Sequence, residues 1–188
     1  MKKILVFSAF ALFLAACSNV ATFKPMIEEL ASKWDGTTAA VTEFATNVKS
    51  EQSGWMNSIN EMQIAPEAMT KWDEASKTKY NDIQASTENA TTNLASISTE
   101  LDAFIATWQE KGNEVQALKD GLSAGKLEGD VQAKIADLTN VANEATNKIA
   151  EWTTKFTEVK AAAAQAKQMF TEFTGTLPGT AKPATGTK

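Results

Sequence analysis

An all-α fold is predicted, in the form of an elongated antiparallel three-helix bundle of coiled-coil character with a disordered C-terminal tail, and three observations predict it. Ala occurs 31 times and Thr 23 times among 188 residues, while the two helix breakers, Gly and Pro, number only 9 and 4. Three long stretches carry apolar residues at alternating steps of three and four, the spacing that keeps one helix face apolar. Two breaks separate those stretches, "QIAPE" at 63–67 and "KDGLSAGKLEGD" at 119–130, and each carries the Pro or Gly that ends a helix.

The opening residues have a different character from the rest. Lys2 and Lys3 form a short positive region, Ile4 to Leu14 an apolar stretch, and Ala15-Ala16 a pair of small residues before Cys17, the single cysteine of the chain. The stretch is shorter than the roughly 20 apolar residues that a spanning helix needs, so it reads as a removable export signal over residues 1–16. Leu14-Ala15-Ala16-Cys17 resembles the lipobox of bacterial lipoproteins. That resemblance implies a diacylglyceryl group on the Cys17 sulfur, cleavage just before Cys17 and acylation of the new amino group. Two or more acyl chains hold a protein stably at a membrane, where one holds it only marginally. Under the sorting rule of enterobacterial lipoproteins, Ser18 after the Cys directs the protein to the outer membrane, facing either the periplasm or the surface.

Residues 17–24 then form a lipidated tether, and Pro25 is placed to open the first helix because its fixed φ suits a first turn. Steps of seven from Ile27 give Ile27, Trp34, Val41, Val48, Trp55 and Met62, all apolar; the companion series Leu30, Thr37, Phe44, Glu51 and Ser58 weakens towards its end. Gly36 and Gly54 are sites where this helix, 25–63, could bend. Pro66 starts the second helix, 66–122, with the series Tyr80, Thr87, Leu94, Leu101, Trp108, Val115 and Leu122 interleaved with Ile83, Ala90, Ile97, Phe104, Lys111 and Leu118. The glycines at 112, 121, 125 and 129 place a hairpin turn after it. The third helix, 129–174, is the most regular: every seam position from Val131 to Phe173 is apolar, and a strict seven-residue repeat indicates a left-handed coiled coil or bundle. From Gly175 to Lys188, Gly, Pro and Thr dominate, and with almost nothing to bury the segment is expected to be a disordered tail.

Folding back at about residue 65 would set helices 1 and 2 side by side at positions whose numbers total about 130; folding back at about residue 125 gives about 250 for helices 2 and 3. Trp34, Ile97 and Trp152 would then share one layer, with Trp55 near Trp72. The same register leaves the hairpin of helices 2 and 3 projecting roughly 20 residues, about 30 Å, beyond the anchored end. Either the bundle lies along the membrane, or the chain bends at Gly112 and residues 113–121 form a fourth short helix.

The composition excludes several function classes. There is no His and no Arg, and 18 Lys face 23 acidic residues, so nucleic acid is not an expected partner. Without His, acid–base work would fall to Asp, Glu, Lys or the single Tyr80. The acidic pairs Glu28-Glu29 and Asp73-Glu74 read as solvated helix faces rather than as a catalytic pair. One cysteine makes neither a disulfide framework nor a thiolate zinc site, and no phosphate loop, nucleophile elbow or calcium loop is present, so no enzyme activity, metal or cofactor is expected. Four of the five Trp fall on seam positions, which assigns them to the core.

A lipobox Cys, an Ala-rich heptad helix and a terminal Lys together resemble the murein lipoprotein of enteric bacteria, whose last Lys is joined to peptidoglycan. Under that resemblance Lys188 is the attachment residue, although "ATGTK" lacks the basic and aromatic residues that precede the family's last Lys, and the body is about three times too long. The expected function is a non-enzymatic, membrane-anchored lipoprotein, a structural or protein-interaction helical rod of the bacterial cell envelope. Its partners are the membrane, through the lipid, and an envelope protein; an oligomer is compatible with such a seam. The alternative is a lipid-handling or membrane-active bundle that opens its seam, like exchangeable apolipoproteins or pore-forming helical toxins.

Overall fold

The computed structural model describes residues 4–177, with side-chain surroundings from Val20 onward. Four helices pack against one another: α1 (Ile4–Glu61), α2 (Pro66–Met69), α3 (Glu74–Ser123) and α4 (Val131–Thr176), and no strand occurs among the described residues. The all-α expectation therefore holds, with several corrections to where its elements begin and end.

Helix α1 starts at Ile4, not at Pro25, which lies inside it. Nine of the 21 residues from Ile4 to Lys24 are the good helix formers Ala, Leu and Lys, and the helix continues through Pro25 despite the hydrogen bond that an interior proline removes. The helix runs through Gly36 and Gly54, where an added Cβ would meet nothing within 4 Å. Instead of one helix from Pro66 to Leu122 there are two. Ala65 is extended, with φ −60° and ψ 134°, as the residue before a proline prefers, and Pro66 opens only the four-residue α2. Helix α3 follows from Glu74 and passes unbroken through Gly112, so no short fourth helix forms from residues 113–121. Gly112 has a packing role: a Cβ there would stand 3.4 Å from the Trp34 indole nitrogen, so the missing side chain makes room for that ring. Helix α4 continues to Thr176, past the expected end, so the expected tail of 175–188 does not begin at Gly175: Leu177 still packs against a core cluster, and only residues 178–188 of that expectation lie outside the described residues.

The chain divides into two compact units, one formed by the chain up to Phe44 with Leu101–Glu151, the other by Ala45–Glu100 with the chain from Trp152. In the first unit, Ile27, Leu30 and Trp34 of α1 meet Trp108, Val115 and Leu118 of α3 and Val131, Ile135, Leu138, Ala142 and Ala145 of α4. Trp34 and Trp108 stack with centroids 3.7 Å apart and planes 5° from parallel. In the second unit, Tyr80, Ile83 and Phe173 form a cluster that Trp72 closes edge-on, 5.4 Å from Tyr80 and 5.1 Å from Phe173. Val48, Trp55, Leu94, Ile97 and Trp152 are also buried there.

The expected tryptophan layer is corrected by these contacts. Trp34 stacks on Trp108, whereas Ile97 and Trp152 belong to the other unit; Trp55 bonds Thr91, not Trp72. The α1–α3 pairs (Trp34 with Trp108, Thr38 with Trp108, Trp55 with Thr91) total about 144 in number, not about 130. The cause is the connection at 62–73, which postpones α3 to Glu74. The α3–α4 register is as expected, with Glu100 beside Trp152 and Lys111 beside Asp137. The expected overhang disappears with the correction: in the first unit Phe23 is level with about residue 121, at the end of α3.

Candidate lipidation site and the helix faces

Cys17 lies in the backbone of α1, and its side chain falls outside the described surroundings; Lys188 lies outside the described residues altogether. Among the described side chains, Phe23 of α1 packs against the cluster of the first unit, as do Leu122 near the end of α3 and Leu127 in the turn that follows it.

That turn is built by glycine. The Gly125 N–H donates to Leu122 O at 3.2 Å and the Lys126 N–H to Gly121 O at 2.8 Å, the pair of bonds that closes a helix in a Schellman motif. Gly125 has φ +69° and Gly129 φ +76°, conformations that side chains with a Cβ rarely adopt. At Gly121 a Cβ would press within 2.8 Å of the Lys126 carbonyl oxygen, so the close approach itself requires glycine. Asp130 then caps α4, its Oδ1 accepting from the Ala133 N–H at 3.0 Å. Lys126 and Glu128 pair at 2.6 Å, which holds the Glu128 carboxyl below and the Lys126 ammonium above their ordinary ranges.

The acidic pairs singled out in the sequence prove to be surface groups. Glu28 faces Lys24 at 3.8 Å, and Glu74 pairs with Lys77 at 2.7 Å. Asp73 is the cap of α3: its Oδ1 accepts from the Ser76 N–H at 2.8 Å, and the bonds from the Ser76 side chain and backbone hold its carboxyl below the usual aspartate value. A folded-state pKa below the unfolded one stabilises the fold above the unfolded value, and that contribution disappears as pH falls through the folded value. Asp73→Asn keeps a capping oxygen but cannot titrate, so thermal melts below about pH 4 should lose less stability between neutral and acid conditions than the parent does. An unchanged acid limb would contradict the cap. Tyr80, the remaining acid–base candidate, is buried in the aromatic cluster of the second unit. Among the described residues no group of three His, Cys, Asp or Glu could hold a metal ion, and no helix is long and apolar enough to cross a membrane.

The polar partners that periodicity alone did not reveal are those of the buried indoles. Trp108 Nε1 donates to Thr38 Oγ1 at 2.9 Å, Trp55 Nε1 to Thr91 Oγ1 at 2.9 Å and Trp152 Nε1 to Glu100 Oε2 at 3.0 Å. Thr38 and Thr91 pass their own hydroxyl protons to Trp34 O and Thr87 O in the preceding turn, both at 2.8 Å. The polar breaks in the α1 seam also have partners, since Glu51 faces Lys160 at 3.6 Å and Ser58 accepts from Lys167 at 3.4 Å.

Clefts lie along the helix grooves. One of them, about 700 Å³ in the second unit, is lined by Met56, Ile59, Met62, Tyr80 and Ile83 with a rim of Thr and Gln. It has an apolar floor and a single carboxylate, Glu88, and so lacks the convergent polar groups that orient a substrate. No family model, curated protein or solved structure matches the chain.

Proposed function

We propose that the chain is a non-enzymatic lipoprotein of the bacterial cell envelope, anchored through lipid on Cys17 and presenting the polar faces of a helical bundle to an envelope partner. Within it α1, α3 and α4 form an antiparallel three-helix bundle, with α2 part of the first connection. Constant offsets support that arrangement: α1 and α4 residues in contact differ by about 109 (Lys33 with Asn143, Glu51 with Lys160, Ser58 with Lys167), as parallel helices do. Contacts with α3 instead keep a constant total, as antiparallel helices do.

The observation that carries the functional reading is the combination of a lipobox with a satisfied seam. Every apolar heptad face from Ile27 onward is turned inward, three of the four buried indoles (Trp55, Trp108 and Trp152) have hydrogen-bond partners, and no fully buried side-chain polar atom among the described residues lacks one. A seam satisfied in this way favours the closed bundle over a lipid-handling one, because opening it would strip the indole N–H groups of their acceptors. The outer membrane is the proposed destination, from Ser18.

Cys17→Ser is expected to shift the protein from the membrane fraction to the soluble fraction or to leave it as uncut precursor. Mass spectrometry of the membrane-bound parent should find a chain beginning at Cys17 with diacylglycerol on its sulfur. A membrane-bound protein with an unmodified Cys17 would refute the proposal.

A further inference from the structure

Resting on the reading of Cys17 as a lipid anchor, we infer that the turn between α3 and α4, residues 124–130, is the membrane-facing end of its unit and lies against the lipid headgroups. Register supplies the argument. The contacts of Trp108 with Trp34 and Thr38 put Phe23 level with about residue 121, and Phe23, Leu122 and Leu127 all pack against one core cluster that also holds Ile27 and Leu118. Helix α1 is continuous from Cys17 through Phe23, so the anchored residue stands only six residues, about 9 Å, beyond the level of the turn. Lipid chains on Cys17 hold that residue at the boundary between headgroups and hydrocarbon, and the turn is drawn to the interface with it.

The composition of the turn, taken with the helix ends that flank it, sets its depth. Lys119, Lys126 and Lys134 are balanced by Asp120, Glu128 and Asp130, and the Lys126–Glu128 pair is exposed. Groups of this polarity stay out of the hydrocarbon, and a neutral balance lacks the excess of Lys that draws a polybasic segment to anionic lipid. The contact is therefore imposed by the anchor and should vanish with it.

Cys17 is the only cysteine, so once it is lipidated an introduced cysteine carries the only free thiol. The test places a nitroxide at Ala124→Cys in the turn or at Ala40→Cys on α1; both positions are exposed, and Ala40 lies 17 residues, about 25 Å, along α1 from Phe23. The full lipidated chain is reconstituted in phosphatidylethanolamine–phosphatidylglycerol vesicles doped with a nickel-chelating lipid, and spin relaxation by the headgroup-borne metal is read. Relaxation is expected to be several-fold stronger at position 124 than at position 40, and to disappear at position 124 in the Cys17→Ser background. Equal or weaker relaxation at position 124, in protein whose Cys17 carries the lipid mass, would overturn the inference and leave the anchor standing. A free Cys17 thiol in the membrane-bound protein would overturn both.

Discussion

Trp108→Ala is expected to destabilise the protein by about 3 to 5 kcal/mol, the usual cost of removing a buried tryptophan, and to lower the melting temperature by on the order of 10 °C. The ring is 4% exposed, stacks on Trp34, lies 5.8 Å from Phe104 and donates to Thr38, so its removal empties a cavity shared by α1 and α3. Trp108→Phe separates the contributions: it keeps much of the stacking area but loses the indole N–H, and should cost nearer 1 kcal/mol beyond the volume change. The pair also makes a coupling test. Because the two rings share one face, Trp34→Ala and Trp108→Ala combined should cost less than the sum of the single variants, by about 0.5 to 3 kcal/mol. Urea unfolding followed by circular dichroism measures all four proteins, and simple additivity would show that the stack contributes nothing.

The same pair explains what the sequence could and could not reveal. The apolar seams from Ile27, Tyr80 and Val131 were legible because a heptad pattern survives whatever it packs against, and the faces it marks are the buried ones. The register of α1 on α3 was not legible. Sliding one such helix by a whole number of heptads leaves apolar residues facing apolar residues, and the α1–α3 correction, from a total of about 130 to about 144, is close to two heptads. What breaks the degeneracy is specific: Gly112 leaves room for the Trp34 ring, Thr38 and Thr91 accept from indoles, and the connection before Glu74 sets the length of the loop. Pro66 correctly marked a helix start, but the helix it opens stops after four residues, and Asp73 caps the long one. Asp-x-x-Ser at 73–76 is a cap signal that a reading fixed on proline passes over. Around the candidate site, Cys17 was readable only as a motif, because its role depends on an export and lipidation chemistry that the folded body does not encode.

Trp152→Ala should match Trp108→Ala in size but differ in how it divides. Trp152 is 1% exposed, more fully enclosed than any other tryptophan of the bundle, and its N–H meets a carboxylate oxygen of Glu100 instead of a hydroxyl. Truncation to Ala should again cost about 3 to 5 kcal/mol through lost burial and the cavity left behind. A hydrogen bond to a charged acceptor contributes more than one to a neutral group, about 1.5 to 3 kcal/mol, so Trp152→Phe should cost more than Trp108→Phe does. Glu100 is partly exposed and Ser96 also reaches it, at 3.4 Å, so water and that hydroxyl can rescue the carboxylate once the indole is gone. The expected excess therefore sits at the lower end of that range. Glu100→Gln keeps an acceptor oxygen but removes the charge, and its cost should be smaller in a Trp152→Phe background than in the parent, by the part that the charged acceptor contributes to the indole bond. If Glu100→Gln destabilises the Trp152→Phe protein as much as it does the parent, the carboxylate acts through another contact and the indole bond is incidental to stability.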